Sequence, residues 1–398
     1  MTASAPNAGQ QAGGFRTRGQ PTAVDAIRSM LRAGMPHAIL LAGAPGVGKA
    51  TLADDVAAAL LCLAPDPDLR PDRTCRACRA VEHGNHPDLH RLGTTGAGAV
   101  IPIGGPGREE RGIRDLVREL ALLPVEGGAR VAIISAADRM TEDAQAAFLK
   151  TLEEPPQGTV LILTAADEER LLETIRSRCV RIRLGPVPRR DIEALLVDGQ
   201  LAEPPLAARL ARLSGGRPGE AVQLARSPSS LIVRGEVGRT LLDLLAASRA
   251  DRLRAGRDLL VRAAELTPPR ETAARARRAP NASTDGPGEG TPESGGQGAE
   301  EPGPASNVRI PAAERRAAAL ALVAIWRDVV RDVALVGMGE PGAVRQVDLL
   351  DDLDLAARRL PAGFAATQLR RLDLAGERLE GNVSPELVID ALALGWAA

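Results

Sequence analysis

The residues with the most definite chemical potential run from Gly43 to Lys49 and read GAPGVGK. Four spacers separate Gly43 from Gly48 and Lys49, the spacing of a loop that cradles phosphate. Small residues let successive backbone N–H groups turn toward an anion, and a terminal lysine reaches the outer phosphates. Gly43, Gly46, Gly48 and Lys49 are therefore candidate contacts for ATP or ADP. Position 50 is Ala, where a hydroxyl would touch magnesium; Thr51 comes one residue late and on a helix should point elsewhere. A second constellation is Cys75-x2-Cys78, with Cys62 able to join it across a proline-rich loop, a start for a zinc site. Asp72, His83 and His86 are candidates for the fourth ligand; Asp72 repeats the spacing of Cys75 to Cys78, whereas His86 must fold back across a turn. Nothing nearby supplies a second acid–base group, so a structural zinc is expected there.

A hydrolase built on a phosphate loop also needs an Asp that holds magnesium and a neighbouring Glu that activates water. Here the apolar run Val131 to Ile134 leads into Ser135, Ala136, Ala137 and Asp138, with Asp138 displaced by about a turn. The next apolar run ends in Leu163, Thr164, Ala165 and Ala166, where only Thr164 has a polar side chain. Three catalytic functions are depleted together, which predicts a site that does not hydrolyse nucleotide and leaves nucleotide binding open.

The elements that must position these residues are legible as alternating patterns. Ala38 to Ala42 reads as a strand entering the loop and Thr51 to Leu61 as a helix leaving it, after a short helix over 22–34. Residues 113–123 have amphipathic periodicity ended by Pro124; 130–135 reads as a strand, 142–152 as a helix stopped by Pro155, and 159–164 as a strand. Such alternation predicts an α/β domain over 19–184 with a parallel sheet covered on both faces, the cysteine loop inserted at about 62–90. Beyond Gly185 the pattern turns helical: a small unit over 185–230, then an all-α region over 231–398. Residues 280–307, rich in Gly, Pro, Ser and Glu and without a basic residue, read as a disordered acidic insertion. Residues 1–18, rich in Ala, Gly and Gln, read as a disordered tail without the apolar core of a signal peptide. No apolar stretch approaches a membrane span, and the cysteines cluster at ligand spacing, so a soluble cytoplasmic protein is expected.

Composition removes other classes. Fifty basic and 51 acidic residues leave a formal charge of -1, so no global field favours nucleic acid. With no Tyr, three Phe and two Trp, stacking of bases on aromatic platforms is not an expected mode of recognition. Lys49 and Lys150 are the only lysines; Lys150 is a candidate phosphate contact or simply a solvated helix residue.

LKTLEEPP at 149–156, SRC at 177–179, HPD at 86–88 after the cysteines, and His37 ahead of the first strand together resemble the bacterial DNA polymerase III clamp-loader ATPases of the AAA+ class. The resemblance covers about residues 20–220; NVSPELVIDALAL near the C-terminus resembles the last helix of that family's collar domain. It implies a AAA+ P-loop module with an inserted zinc-type loop, a helical lid domain over 185–230 and an all-α collar domain over 231–398. The family has motor subunits, gamma or tau, that hydrolyse ATP, and a delta-prime type that does not. Ala50, Ser135, Ala136 and Ala165 all depart from the motor pattern, which places the sequence with the second type; the motor type is the alternative. The resemblance assigns Arg178 of the SRC segment to a neighbouring subunit's ATP site, in trans. A planar permanent cation suits a γ-phosphate there; alone, Arg178 would read as a surface ion-pair residue. Cys179 would then be a packing thiol. The family's four zinc cysteines correspond to Cys62, Cys75 and Cys78 with Asp72 in the remaining place, and Arg217 in GGRPGEA falls where active relatives hold a nucleotide-sensing arginine. Implied partners are gamma or tau and delta subunits in a hetero-pentamer, with the sliding clamp and primer-template DNA reached through the assembly.

Overall fold

The structure, a computed structural model, describes residues 14–95, 99–122, 124–126, 128–266, 312–361, 363–381 and 383–396. Strands β1 (Ala38–Ala42), β3 (Arg130–Ile134) and β4 (Thr159–Ala165) are buried at every position. Strands covered on both faces belong in the middle of a helix-flanked parallel sheet. They lie in a five-stranded parallel sheet, completed by β2 (Leu89–Leu92) and β5 (Val180–Arg183), in the order β2-β3-β4-β1-β5. The β1 residues Ile39 and Leu41 face helices α1 (Pro21–Ala33) and α2 (Lys49–Leu61), in a core with Ile27, Leu52 and Val56. Leu40 faces the other way, toward Leu116 and Phe148 of α4 (Ile113–Leu120) and α5 (Glu142–Glu153). Thr141 caps α5, its Oγ1 accepting the Ala144 N–H at 3.3 Å, and Pro155 follows its end.

Helix α3 (Arg76–His83) lies in the inserted loop and α6 (Glu173–Arg176) precedes β5. Helices α7 (Arg189–Asp198), α8 (Pro204–Leu213) and α9 (Pro218–Arg226) enclose a small core of their own around Ile192, Leu196 and Leu210. The C-terminal helical region comprises α10 (Pro228–Asp243), α11 (Arg249–Ala264), α12 (Ala312–Gly337), α13 (Leu350–Arg359), α14 (Phe364–Glu380) and α15 (Pro385–Leu394). Its core holds both tryptophans, Trp326 and Trp396, edge to face at 5.2 Å. The predicted acidic insertion, 280–307, lies outside the described residues. Among those described, no helix is long and apolar enough to cross a membrane.

Charged contacts join these parts. Glu380, at the end of α14, accepts Arg139 at 2.6 Å and Arg170 at 2.5 Å from the α/β core. Arg234 of α10 bridges Glu220 of α9, at 2.9 Å, and Asp328 of α12, and Arg345 pairs with the other oxygen of Asp328.

Residues 14–18 differ from the expected tail. Phe15 and Thr17 are buried, and the segment is tied to α2 through Asp55. An aromatic side chain and a buried carboxylate order a stretch whose remaining composition reads as flexible.

Candidate functional site

Strand β1 delivers the chain into the glycine loop at the C-terminal edge of the sheet, where open α/β sheets bind ligands. The Gly43 N–H donates to Ala165 O of β4 at 3.2 Å, anchoring the loop's entry. Gly43 has φ +153°, and a Cβ there would lie 2.4 Å from Leu184 O, so the backbone path requires glycine. Gly48 caps α2 in the left-handed region, and the first amides of a thirteen-residue helix open toward the loop. In front of it lies a cavity of about 380 Å³, lined by Gly46, Gly48, Lys49, Arg16, Thr17 and Ser135 among others. Lys49 Nζ donates to the carbonyls of Gly43 at 2.5 Å and Ala44 at 2.9 Å, folded back on its own loop. Burial holds the pKa of Lys49 below its usual value, opposed by the charge of Asp138.

Among the described residues that line this cavity there is no acid. Ser135 lines the cavity, and Ala136 sits in the left-handed region at φ +56° with its N–H donating to Thr164 Oγ1 at 3.0 Å. Asp138 does not line the cavity: its Oδ2 accepts the Ala166 and Asp167 amides at 3.2 Å, and its Oδ1 is buried without a hydrogen-bond partner. Thr51, expected to point elsewhere, lines the same cavity as Ala50, because both belong to the first turn of α2.

Arg217 is not brought to this cavity. Its Nε donates to Ser214 O at 3.0 Å and its Nη2 pairs with Glu220 at 2.6 Å, facing a separate cavity of about 300 Å³ beside Arg234. That cavity is also lined by Pro45 and Gly46 of the phosphate loop, and the Gly219 N–H donates to Gly46 O at 2.9 Å. Residues missed in the sequence are Arg16 and Thr17 in the cavity wall and Gln20, whose amide donates to Val47 O at 3.3 Å and Gly185 O at 2.6 Å. One of only three phenylalanines, at position 15, was the available signal that this stretch packs.

Cys62, Asp72, Cys75 and Cys78 converge, their ligand atoms all within 4.8 Å of one another. Amides of Ala64 and Asp72 point at Cys62 Sγ at 3.5 and 3.4 Å, and the Cys78 amide points at Cys75 Sγ at 3.4 Å. Asp72 Oδ1 accepts the Cys75 and Thr74 amides, and chiefly the Cys75 N–H holds its carboxyl down to about 2. Two sulfurs that receive N–H donors, the Cys78 sulfur, whose thiol is directed at Ala58 O at 3.8 Å, and the Asp72 carboxylate make a donor set that fits a tetrahedral divalent ion. His86 is committed elsewhere: its Nδ1 accepts the Asp88 N–H at 3.1 Å, while Asp88 takes the Val125 and Glu126 amides.

Arg178 stands after α6, with Nη2 on Glu153 at 2.7 Å and Nη1 on Thr174 O at 3.0 Å, and just over a third of its side chain is exposed. Cys179 packs against the core beneath α5, where burial pushes its thiol up to about 12.

Sheet, glycine loop and helical C-terminal region define a AAA+-like α/β protein. Residues 19–188 match the family described as "DNA polymerase III, delta subunit". The delta-prime subunit of Bacillus subtilis (strain 168) is 34% identical over 203 residues, 51% of this chain and 58% of that one. That of Pseudomonas aeruginosa is 35% identical over 223 residues, 54% and 65% of the two chains. The gamma subunit of Buchnera aphidicola subsp. Schizaphis graminum is 34% identical over 175 residues, 44% and 45%. The chain thus spans between half and two thirds of the length of the two delta-prime relatives. Among solved structures, a gamma-subunit-related protein of Thermotoga maritima aligns over 94% of this chain and 98% of its own at 17% identity and a TM-score of 0.44, too distant to bear on function. The matches make this chain similar to bacterial DNA polymerase III clamp-loader subunits, and to delta-prime subunits in particular.

Proposed function

We propose that the chain acts as a delta-prime-type subunit of a clamp loader, holding ATP or ADP without hydrolysing it and offering Arg178 to a neighbouring motor subunit. The observation that carries the reading is the contrast between two ends of the α/β core. The glycine loop keeps its shape and its lysine, yet Ser135 and Ala136 stand where acids would bind magnesium and activate water. Arg178, by contrast, is presented at the surface by α6 and parked on Glu153. An ion pair this exposed contributes about 0.5 kcal/mol, so an incoming γ-phosphate, which binds a guanidinium in a bidentate fork, displaces Glu153 at little cost.

In this reading α7 to α9 form the lid, the C-terminal helices form the collar, and zinc occupies the Cys62, Asp72, Cys75 and Cys78 group. Zinc would supply a structural cross-link between the two ends of the loop. The partners are gamma or tau and delta subunits, with the clamp and primer-template DNA engaged by the assembly, in the cytoplasm. The test is Arg178→Ala in a reconstituted loader. Loss of an arginine supplied in trans lowers turnover about 10³-fold or more, with the assembly intact by size. Unchanged ATP turnover would overturn the assignment of Arg178. The purified chain alone should show no magnesium-dependent turnover; hydrolysis abolished by Lys49→Ala would make it a motor subunit instead.

A further inference from the structure

The stretch 14–18, here the arm, touches both the phosphate cavity and the cysteine loop. Asp55 of α2, 1% exposed, is the common point. Its carboxylate accepts the Arg16 N–H at 3.0 Å, the Thr17 N–H at 2.8 Å and the Thr17 hydroxyl at 2.6 Å. The remaining partner is Nη2 of Arg73, the residue between Asp72 and the Thr74-Cys75 pair. Arg73 Nε in turn donates to Gly14 O at 2.8 Å. Gly14 lies so close to the loop that a Cβ would sit 2.5 Å from Pro71 O and 2.7 Å from Arg73 Cγ. Further along, Arg16 pairs with Glu82 at 2.5 Å, on the helix α3 that carries Cys78. The same Arg16 and Thr17 form part of the wall of the cavity that Lys49 and Ser135 also line.

We propose that Asp55 couples the cysteine loop to the phosphate cavity, so that a divalent metal held by Cys62, Asp72, Cys75 and Cys78 seats the arm that walls the cavity. The inference rests on the metal-site reading above and goes beyond it. A cation fixes Asp72 and Cys75 relative to Cys62, and Arg73 lies between the first two. Its guanidinium is then held where Asp55 needs it. Without metal the four ligand groups are held only by N–H contacts to two of the sulfurs and to the Asp72 carboxylate and by the contact of the Cys78 thiol with Ala58 O. Arg73 then loses its fixed position, and Asp55 is left as a buried carboxylate short of its cationic partner. Such a group recovers solvation by letting the arm lift, since buried charge is costly without a partner.

Hydrogen–deuterium exchange on the full chain, with one equivalent of zinc and after chelation, reads this directly. Chelation should speed exchange at Arg16 and Thr17 by about tenfold or more, while β1 and β3 amides stay protected. Asp55→Asn should bind one equivalent of zinc normally yet exchange fast at the arm with or without metal. Should that variant fail to fold, Arg73→Gln removes the cationic half at the loop surface and should decouple the arm in the same way. A chain that binds one zinc but shows arm exchange unaffected by chelation overturns the coupling alone. One that takes up no zinc overturns the metal site together with it. A fluorescent ADP analogue, where it binds, should lose affinity on chelation in the wild type and not in Arg73→Gln; equal loss in both would also refute the proposal.

Discussion

Replacing Arg234 with Met tests how the phosphate loop's neighbours are held. Arg234 is 7% exposed and ties Glu220 beside the loop to Asp328 in the C-terminal core. Breaking a buried pair by removing one partner costs about 3–5 kcal/mol, because the remaining charge stays buried. Two partners survive: Arg217 pairs with Glu220 at 2.6 Å, and Arg345 with Asp328. The lower end, about 3 kcal/mol at pH 7, is therefore expected. The sign of its pH dependence follows from Glu220, whose carboxyl burial already holds above its usual range, against the pull of Arg234. Without Arg234 that pKa rises further, so the folded variant binds a proton more tightly than its unfolded chain does. Its deficit should shrink as pH falls from 7 toward 5, by about 1 kcal/mol. Urea unfolding followed by tryptophan fluorescence suits the measurement, because both tryptophans lie in the C-terminal core and Trp326 shares α12 with Asp328. A deficit below about 1 kcal/mol at pH 7, or one equal at both pH values, would refute the reasoning.

Other outcomes follow from the same geometry. Glu153→Gln should leave ATP turnover of the assembled loader within about threefold of wild type, since the half-exposed Arg178 pair is weak; a loss comparable to that of Arg178→Ala would show Glu153 to be essential. Ser135→Asp with Ala136→Glu should not create an ATPase in the purified chain, because residue 136 is left-handed and Ala50 still lacks a hydroxyl; magnesium-dependent turnover would contradict this. Ala136→Gly should raise stability by about 0.5 kcal/mol in thermal unfolding, relief of left-handed strain outweighing added chain entropy. Asp72→Cys should slow zinc release to a chromogenic chelator, a thiolate being the softer ligand; faster release would argue that the Asp72 turn, which takes the Thr74 and Cys75 amides, matters more than its charge.

What the sequence disclosed depended on distance along the chain. The glycine loop and strands β1, β3 and β4 were legible because spacing and continuous apolar runs are local signals. Helix α5 was legible from its periodicity and the stop at Pro155, and the structure adds the Thr141 cap at its start. Strand β2, LHRL, was missed because it is an edge strand whose middle residues are half exposed: His90 pairs with Glu119 and Arg91 with Asp54. The arm was missed because its order comes from Asp55, 38 residues beyond Thr17, and from Arg73. For the metal group, spacing raised Asp72 as a ligand and the structure brings it to the three sulfurs. The Arg217 motif suggested a nucleotide contact, and in the structure its guanidinium pairs with Glu220 one turn on, in a cavity that adjoins Pro45 and Gly46.

The grip of Glu380 on Arg139 and Arg170 gives α14 a mechanical meaning. At its other end, Phe364 packs on Trp396 with ring centroids 5.4 Å apart. Between them the seventeen-residue helix spans about 25 Å, a stiff lever with one end on Arg139 and Arg170 of the core and the other in the aromatic cluster. Any tilt of the core relative to the C-terminal helices must either break two ion pairs on a single carboxylate or carry α14 along and disturb the rings at its far end. Displacement of the core at Arg139 and Arg170 is thereby converted into repacking around Trp396.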